Sequence, residues 1–383
     1  MQITTDDVDD FATGATVLGT GGGGDPYVGK LMAEQAIEEH GPVELLDPAD
    51  LDDDALVVPS AMLGAPTVMV EKLPRGTESL DAFRALEDRL GREADATMSI
   101  EAGGLNSTVP IAVAAALELP LVDADGMGRA FPEVQMVTLT MGGISATPMS
   151  IADEKGNSVT VETIDNDWAE QFARTTSIEM GGACMIATYA HTGAQLRDHA
   201  ILRSMSLARE IGETLRTAGE TDRDPVAALL ELTGGYELFE GKVVDVERRT
   251  EGGFAVGVAT IDGLDGSEGE RLRLDFQNEN LVARTDDGTV LASVPDLITV
   301  LDAETGEPIT TEGLAYGHRV RVVGMPCAEQ WRTDAGLELV GPRYFDYDVD
   351  YRPIEAIHGD AGDGETDDGG TSDSDSDSDT HTR

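Results

Sequence analysis

At Gly234-Gly235 the sequence changes character, and the change divides the chain into two folding problems. Before it, short apolar runs at 43–46, 55–63, 97–101, 120–124 and 134–140 read as strands, while 78–93 and 107–118 read as helices. Alternation of this kind predicts an α/β domain, a mixed sheet with flanking helices, over residues 1–234. After it, residues 236–350 carry many short β-type runs separated by Gly and Asp turns and no convincing helical period. A smaller all-β domain, barrel- or sandwich-like, is expected over 235–357. A length of 383 residues accommodates both with a sizeable core in each.

Within the first domain, Thr5-Asp6-Asp7-Val8-Asp9 opens a helix through about Leu18, and Pro26 begins a second through about Glu39. A hairpin is expected from Pro148–Asp153 and Ser158–Thr163, then a helix at 166–176, a long helix over 195–215 and a shorter one at 225–232. The Ser-Asp repeats of an acidic tail, 358–383, bury too little apolar area to offset ordering entropy and are expected to be disordered.

Charge removes whole classes of function. The chain carries 74 acidic and 26 basic residues. Its last 25 residues hold nine carboxylates and one arginine, so the body keeps a formal charge of −40. A surface this negative repels phosphates, and no basic cluster offsets it, so nucleic acid is not an expected partner. Anionic membranes are disfavoured likewise, and no run approaches the roughly 20 apolar residues of a spanning helix. The first ten residues lack the features of a secretory signal, so a soluble, cytoplasmic protein is expected. Only four lysines, at 30, 72, 155 and 242, accompany 22 arginines, a balance that reads as halophilic adaptation of an acidic proteome. Cys184 and Cys327 form no CxxC, which excludes a disulfide framework and a cysteine-rich metal site.

Glycine-lined segments supply the candidate chemistry. Gly19-Thr20-Gly21-Gly22-Gly23-Gly24-Asp25-Pro26 formally contains GxGxxG, but a helix precedes it where a dinucleotide fold needs a strand, so no nucleotide is expected. Gly21, Gly22, Gly23 and Gly24 are read as a ligand loop whose N–H groups approach a polar or anionic group, because a plain turn seldom needs four glycines. Glu101-Ala-Gly-Gly-Leu-Asn106-Ser107 follows a strand and leads into a helix, which is where open α/β sheets place ligands. Asn106 and Ser107 can cap that helix, whereas Glu101 closing an apolar strand needs a partner or solvent.

Asp123 and Asp125 project to one side of an extended strand, suiting either an acid/base pair or, with Glu101, oxygen ligation of a divalent cation. Arg129 either contacts a ligand or neutralises the pair structurally. Gly142 and Gly143 repeat the pairing of apolar run and double glycine, as do Gly181 and Gly182 before Cys184. Cys184 with His191 as base is an alternative, although alanine and methionine neighbours read as ordinary core.

Leu18–Pro26, Glu101–Ser107, Asp123–Glu133 and Thr140–Gly143 together resemble the family named after S-methyl thiohydantoin desulfurase, members of which are often called hydantoinase-like; the similarity runs from about Thr5 to about Ile357. The resemblance implies an α/β domain followed by a β domain, and association with hydantoinase- or oxoprolinase-type enzymes. It implies replacement of a ring S-methyl group by oxygen from water. On chemical grounds we assign Asp125 as base, Asp123 or Glu101 as proton partner, Asn106 as a ring-carbonyl contact, Arg129, Gly142 and Gly143 as further substrate contacts, and the loop Gly21 to Gly24 as an N–H cradle. A homo-oligomer, a non-catalytic partner subunit and a small-molecule or metal-binding protein are the competing readings.

Overall fold

The structure, a computed structural model, describes residues 1–359 apart from 25, 66–67, 69–71, 73–74, 222 and 265. The acidic tail from residue 360 on lies outside the described residues.

Among the described residues the first domain is built on a nine-stranded mixed sheet. Its strands are β1 (Gln2–Ile3), β2 (Val43–Leu46), β3 (Leu56–Gly64), β4 (Ala96–Ser99), β5 (Leu121–Val122), β7 (Met149–Ala152), β8 (Ser158–Val161), β9 (Ala183–Ala187) and β10 (His191–Thr192); β6 (Ala124–Asp125) pairs separately with β11 (Ile201–Leu202). The order is β1-β2-β5-β4-β3-β9-β7-β8, with β10 beside β3. Its centre, β2-β5-β4-β3, is parallel, and the flanking strands are antiparallel. Buried on both faces, β3 and β4 read as nearly continuous apolar or small residues, as parallel strands do.

The helix Thr5–Leu18 begins with a capping box in which Asp7 accepts from the Thr4 amide at 3.0 Å and the Thr4 hydroxyl at 2.8 Å. It packs against the helix Ser204–Glu220 so closely that the ideal Cβ positions of Gly14 and Gly212 fall within 1.7 and 2.0 Å of the opposing backbone.

Three expectations change. Residues 134–140 form a turn and a short helix, Thr138–Met141, because Pro132, Glu133 and Gln135 break the run into segments too short for a strand. The helix expected over 195–215 is two, Gly193–His199 and Ser204–Glu220, separated by β11 and by Arg203 in the left-handed region at φ 67°. The second domain also carries a short helix, Asp334–Val340, capped by the Thr333 hydroxyl.

That domain centres on an eight-stranded antiparallel sheet running β16-β15-β14-β13-β12-β19-β17-β18. Its strands span Tyr236–Glu251 (β12), Phe254–Gly263 (β13), Arg271–Gln277 (β14), Glu279–Thr285 (β15), Val290–Ser293 (β16), Leu297–Asp302 (β17), Pro308–Ile309 (β18) and Arg319–Met325 (β19). The largest apolar cluster crosses from one domain to the other, joining Ala15, Val17 and Leu18 to Leu281, Val294, Leu297 and Trp331. The helix Thr5–Leu18 therefore belongs to the interface, and its C-terminal turn delivers the glycine loop there. Among the described residues no helix is long and apolar enough to cross a membrane.

Candidate active site

The carboxyl ends of β3 and β4 open onto a cleft between the two domains. Met62, Gly64, Glu101, Asn106, Phe131, Glu133, Arg174 and the Gly23-Gly24 pair line it from the first domain; Asn278 and Glu279 reach in from the second. A ligand site past the ends of parallel strands is what this topology supports.

Glu101 is the group around which the cleft is arranged. Its Oε1 accepts from Asn106 Nδ2 at 2.6 Å and its Oε2 from the Phe131 amide at 3.4 Å. Burial pushes its carboxyl up to about 7, with the negative charge of Asp125 adding to the rise; the two hydrogen bonds and Arg129 oppose it. Asn106 is held from below: Met62 N donates to its Oδ1 at 2.7 Å, and Nδ2 donates also to Met62 O at 3.2 Å. Both amide protons are thus engaged, so Asn106 positions Glu101 against β3 and has no free donor for a ring carbonyl.

The aspartate pair stands elsewhere. The expected single strand is broken at Asp123, a bend between β5 and β6, and its side chain meets the start of the helix Ser204–Glu220. Asp123 accepts from Ser206 N at 2.8 Å and from the Ser206 hydroxyl. Asp125 takes the amides of Met127 and Gly128. Burial raises its carboxyl to about 6, and the two amides and the neighbouring Ser204 hydroxyl oppose the rise. Neither aspartate lines the cleft. The expected roles of Asp125 as base and Asp123 as its partner therefore give way to a helix cap and a turn. Among the described residues no three His, Cys, Asp or Glu side chains converge as metal ligands, so the set Glu101, Asp123 and Asp125 does not form a cation site.

Arg129 neutralises neither aspartate. Fully buried, it spends five N–H bonds on Ala130 O, Pro295 O, Asp296 O, Asn280 O and Thr20 Oγ1, bolting the two domains together.

The glycine loop is likewise a joint. Thr311 N donates to Gly21 O and Asn280 N to Thr20 O, both at 2.8 Å. A Cβ at Gly22 would lie 2.0 Å from Glu279 Oε1, and one at Gly23, where φ is +75°, would lie 2.3 Å from Gly103 Cα. What needs four glycines here is the close approach of two domains and two loops. Gly23 and Gly24 alone of the four border the cleft. Leu105 N and Asn106 N hold the Gly23 carbonyl at 3.0 and 3.3 Å, so the trans peptide turns the Gly24 N–H away from that helix start. Gly142 and Gly143 follow the helix Thr138–Met141, outside the cleft; Gly142 packs on His199, 2.4 Å from an ideal Cβ.

Cys184 and His191 do not meet. They pair with Leu63 and Val57 of β3, six residues apart, which at about 3.3 Å per residue separates them by roughly 20 Å. Burial pushes the Cys184 thiol up to about 12 and the His191 imidazole down to about 4, the states of inert core groups.

Three groups were not anticipated. Glu133 accepts from Tyr344 Oη at 2.8 Å at the mouth of the cleft. Arg174 donates to Glu170 at 2.7 Å and Pro132 O at 2.9 Å, with its guanidinium 4.5 Å from the Phe254 ring of the second domain. Glu279, at the start of β15, is buried with Oε2 unpartnered; burial holds its carboxyl far above the usual carboxylate range, and the Glu101 charge adds to this. The signal in the sequence was a polar Asn278-Glu279-Asn280 between the alternating Leu272–Phe276 and the apolar Leu281–Ala283.

Residues 6–163 match the N-terminal domain and residues 164–354 the C-terminal domain of S-Me-THD-like proteins. The chain belongs to the S-Me-THD-like family. The boundary between the family's two domains falls after β8, so the family's C-terminal part includes β9 and the helices up to Thr233 as well as the eight-stranded sheet. A crystallised protein from Chromobacterium violaceum shares the fold, with a TM-score of 0.77 at 23% identity, over 92% of this chain and 100% of that one. No curated protein matches the chain.

Proposed function

We propose that this S-Me-THD-like protein is a hydrolase that directs water onto a ring carbon of a five-membered cyclic imide or thioimidate, in an S-methyl thiohydantoin replacing the S-methyl group by oxygen. The observation that carries the reading is Glu101: a buried carboxylate lining the cleft, fixed by Asn106 and raised to about 7, is a general base poised for work at neutral pH. Water lodged against Glu101 loses a proton to it as its oxygen bonds to the ring carbon. The electron pair of the C=N bond moves onto the ring nitrogen. When that pair re-forms the double bond, the C–S bond breaks and sulfur leaves as methanethiol once protonated. The hydroxyimine left behind tautomerises to the ring amide, balancing one water consumed against one thiol released. Apolar walls from Met62, Ile100, Met127 and Phe131 suit a flat ring, and the Gly24 amide is a candidate donor to the charge that develops on nitrogen.

The test is release of methanethiol, trapped with a thiol reagent, from a series of S-methyl thiohydantoins. Glu101→Gln is expected to lower the rate ~100- to 10,000-fold, the usual contribution of a positioned base. A folded Glu101→Gln protein with undiminished turnover would assign the chemistry to another group.

A further inference from the structure

We propose that Glu279 is the second catalytic group of the cleft: Glu101 and Glu279 share one dissociable proton, Glu101 taking the proton of the attacking water and Glu279 delivering one to the departing sulfur. The catalytic assignment rests on the hydrolase reading; the shared proton does not.

Two carboxyl groups from different domains line one cleft, both buried. The groups that face Glu101 are the Asn106 amide, the Phe131 N–H, Asp125 and Arg129. Those that face Glu279 are Glu101, Arg129 and Glu312, and its Oε1 occupies the space a side chain at Gly22 would fill. Arg174 also lines the cleft but is paired with Glu170 and bound to Pro132 O; Arg129 is the cation that acts on both carboxyl groups, and its five N–H bonds end on four carbonyls and the Thr20 hydroxyl, leaving none for either carboxylate. One positive charge that makes no direct bond cannot hold two buried carboxylates ionised side by side, so one of them retains a proton. Glu101 has two donors to stabilise its anion. Glu279 Oε2 has no hydrogen-bond partner, which makes Glu279 the protonated member, with an O–H free to be given away. During turnover Glu101 gains a proton as C–O forms and Glu279 loses one as C–S breaks. Transfer from Glu101 to Glu279 restores the starting state.

Glu279→Gln preserves shape while removing the exchangeable proton. At neutral pH an infrared difference spectrum, wild type minus Glu279→Gln, is expected to contain the carbonyl band of one protonated carboxylic acid. In wild type the pH profile of kcat/KM is expected to be bell-shaped; in Glu279→Gln the alkaline limb disappears and the rate falls ~100- to 10,000-fold. Melting curves of both proteins check that the variant is folded, and Glu279→Asp, which keeps the proton, is expected to regain part of the rate. Absence of the acid band overturns the shared proton. A Glu279→Gln enzyme with the wild-type rate and both limbs overturns the catalytic role. If wild type turns over no cyclic imide or thioimidate, the hydrolase reading and the catalytic assignment fall together, while the band still decides the protonation of the pair.

Discussion

Replacing Glu101 by glutamine is expected to lower activity and raise stability at alkaline pH. Its carboxyl titrates at about 7 in the native protein against an ordinary 4.5, a rise caused first by burial. For a carboxyl the native state then prefers the protonated form. Below about pH 4.5 both states are protonated and the group is neutral in effect. As pH climbs through the window from 4.5 to about 7, ionisation becomes progressively unfavourable in the native state, and above it the carboxylate destabilises the fold by about 3 kcal/mol. Glutamine cannot ionise. Its amide oxygen can still accept from Asn106, but the amide nitrogen now meets the Phe131 N–H, losing a long hydrogen bond worth about 1 kcal/mol. Denaturant titrations should therefore find Glu101→Gln roughly equal to wild type, or about 1 kcal/mol weaker, near pH 4.5, and about 2 kcal/mol stronger near pH 8. A variant that loses more stability near pH 8 than near pH 4.5 would refute the picture of Glu101 as a strained buried carboxyl.

Asp125→Asn retains an acceptor for the Met127 and Gly128 amides and is expected to keep turnover close to wild type, measured by the same thiol release; a collapse of rate in a folded variant would return Asp125 to the chemistry. Asp123→Ala removes the acceptor at the start of the helix Ser204–Glu220 and should weaken the fold by about 1 kcal/mol in denaturant titrations. Gly23→Ala combines a left-handed φ of +75° with a Cβ 2.3 Å from Gly103 Cα, so a loss of about 3 kcal/mol or more is expected, read as a lowered melting temperature. The net charge of −48 predicts a higher melting temperature in about 3 M than in about 0.1 M KCl, where like charges still repel over ~10 Å; equal values would remove the case for halophilic adaptation.

The sequence by itself determined what local chemistry controls. Strand and helix alternation up to Gly234-Gly235 and β-type runs beyond it follow from hydrophobic period and turn residues, and they produce the mixed and antiparallel sheets observed. Glu101 stood out because a carboxylate ending an apolar strand needs an explanation at its own position, and the Asn106 beside it was close enough in sequence to be noticed. The pairing of Asp123 with Asp125 assumed one continuous strand, and period two in any case says nothing of what lies opposite. Only the tertiary structure decided that this was a helix start and not the cleft. It alone placed Glu279 beside Glu101, from which it is 178 positions away along the chain, and turned Arg129 from a neighbour of the aspartates into a bolt across the domain interface. Charges interact through space over a few ångströms, while sequence patterns report only neighbours along the chain, so the environment of each carboxyl was set by the docking of the second domain onto the glycine loop.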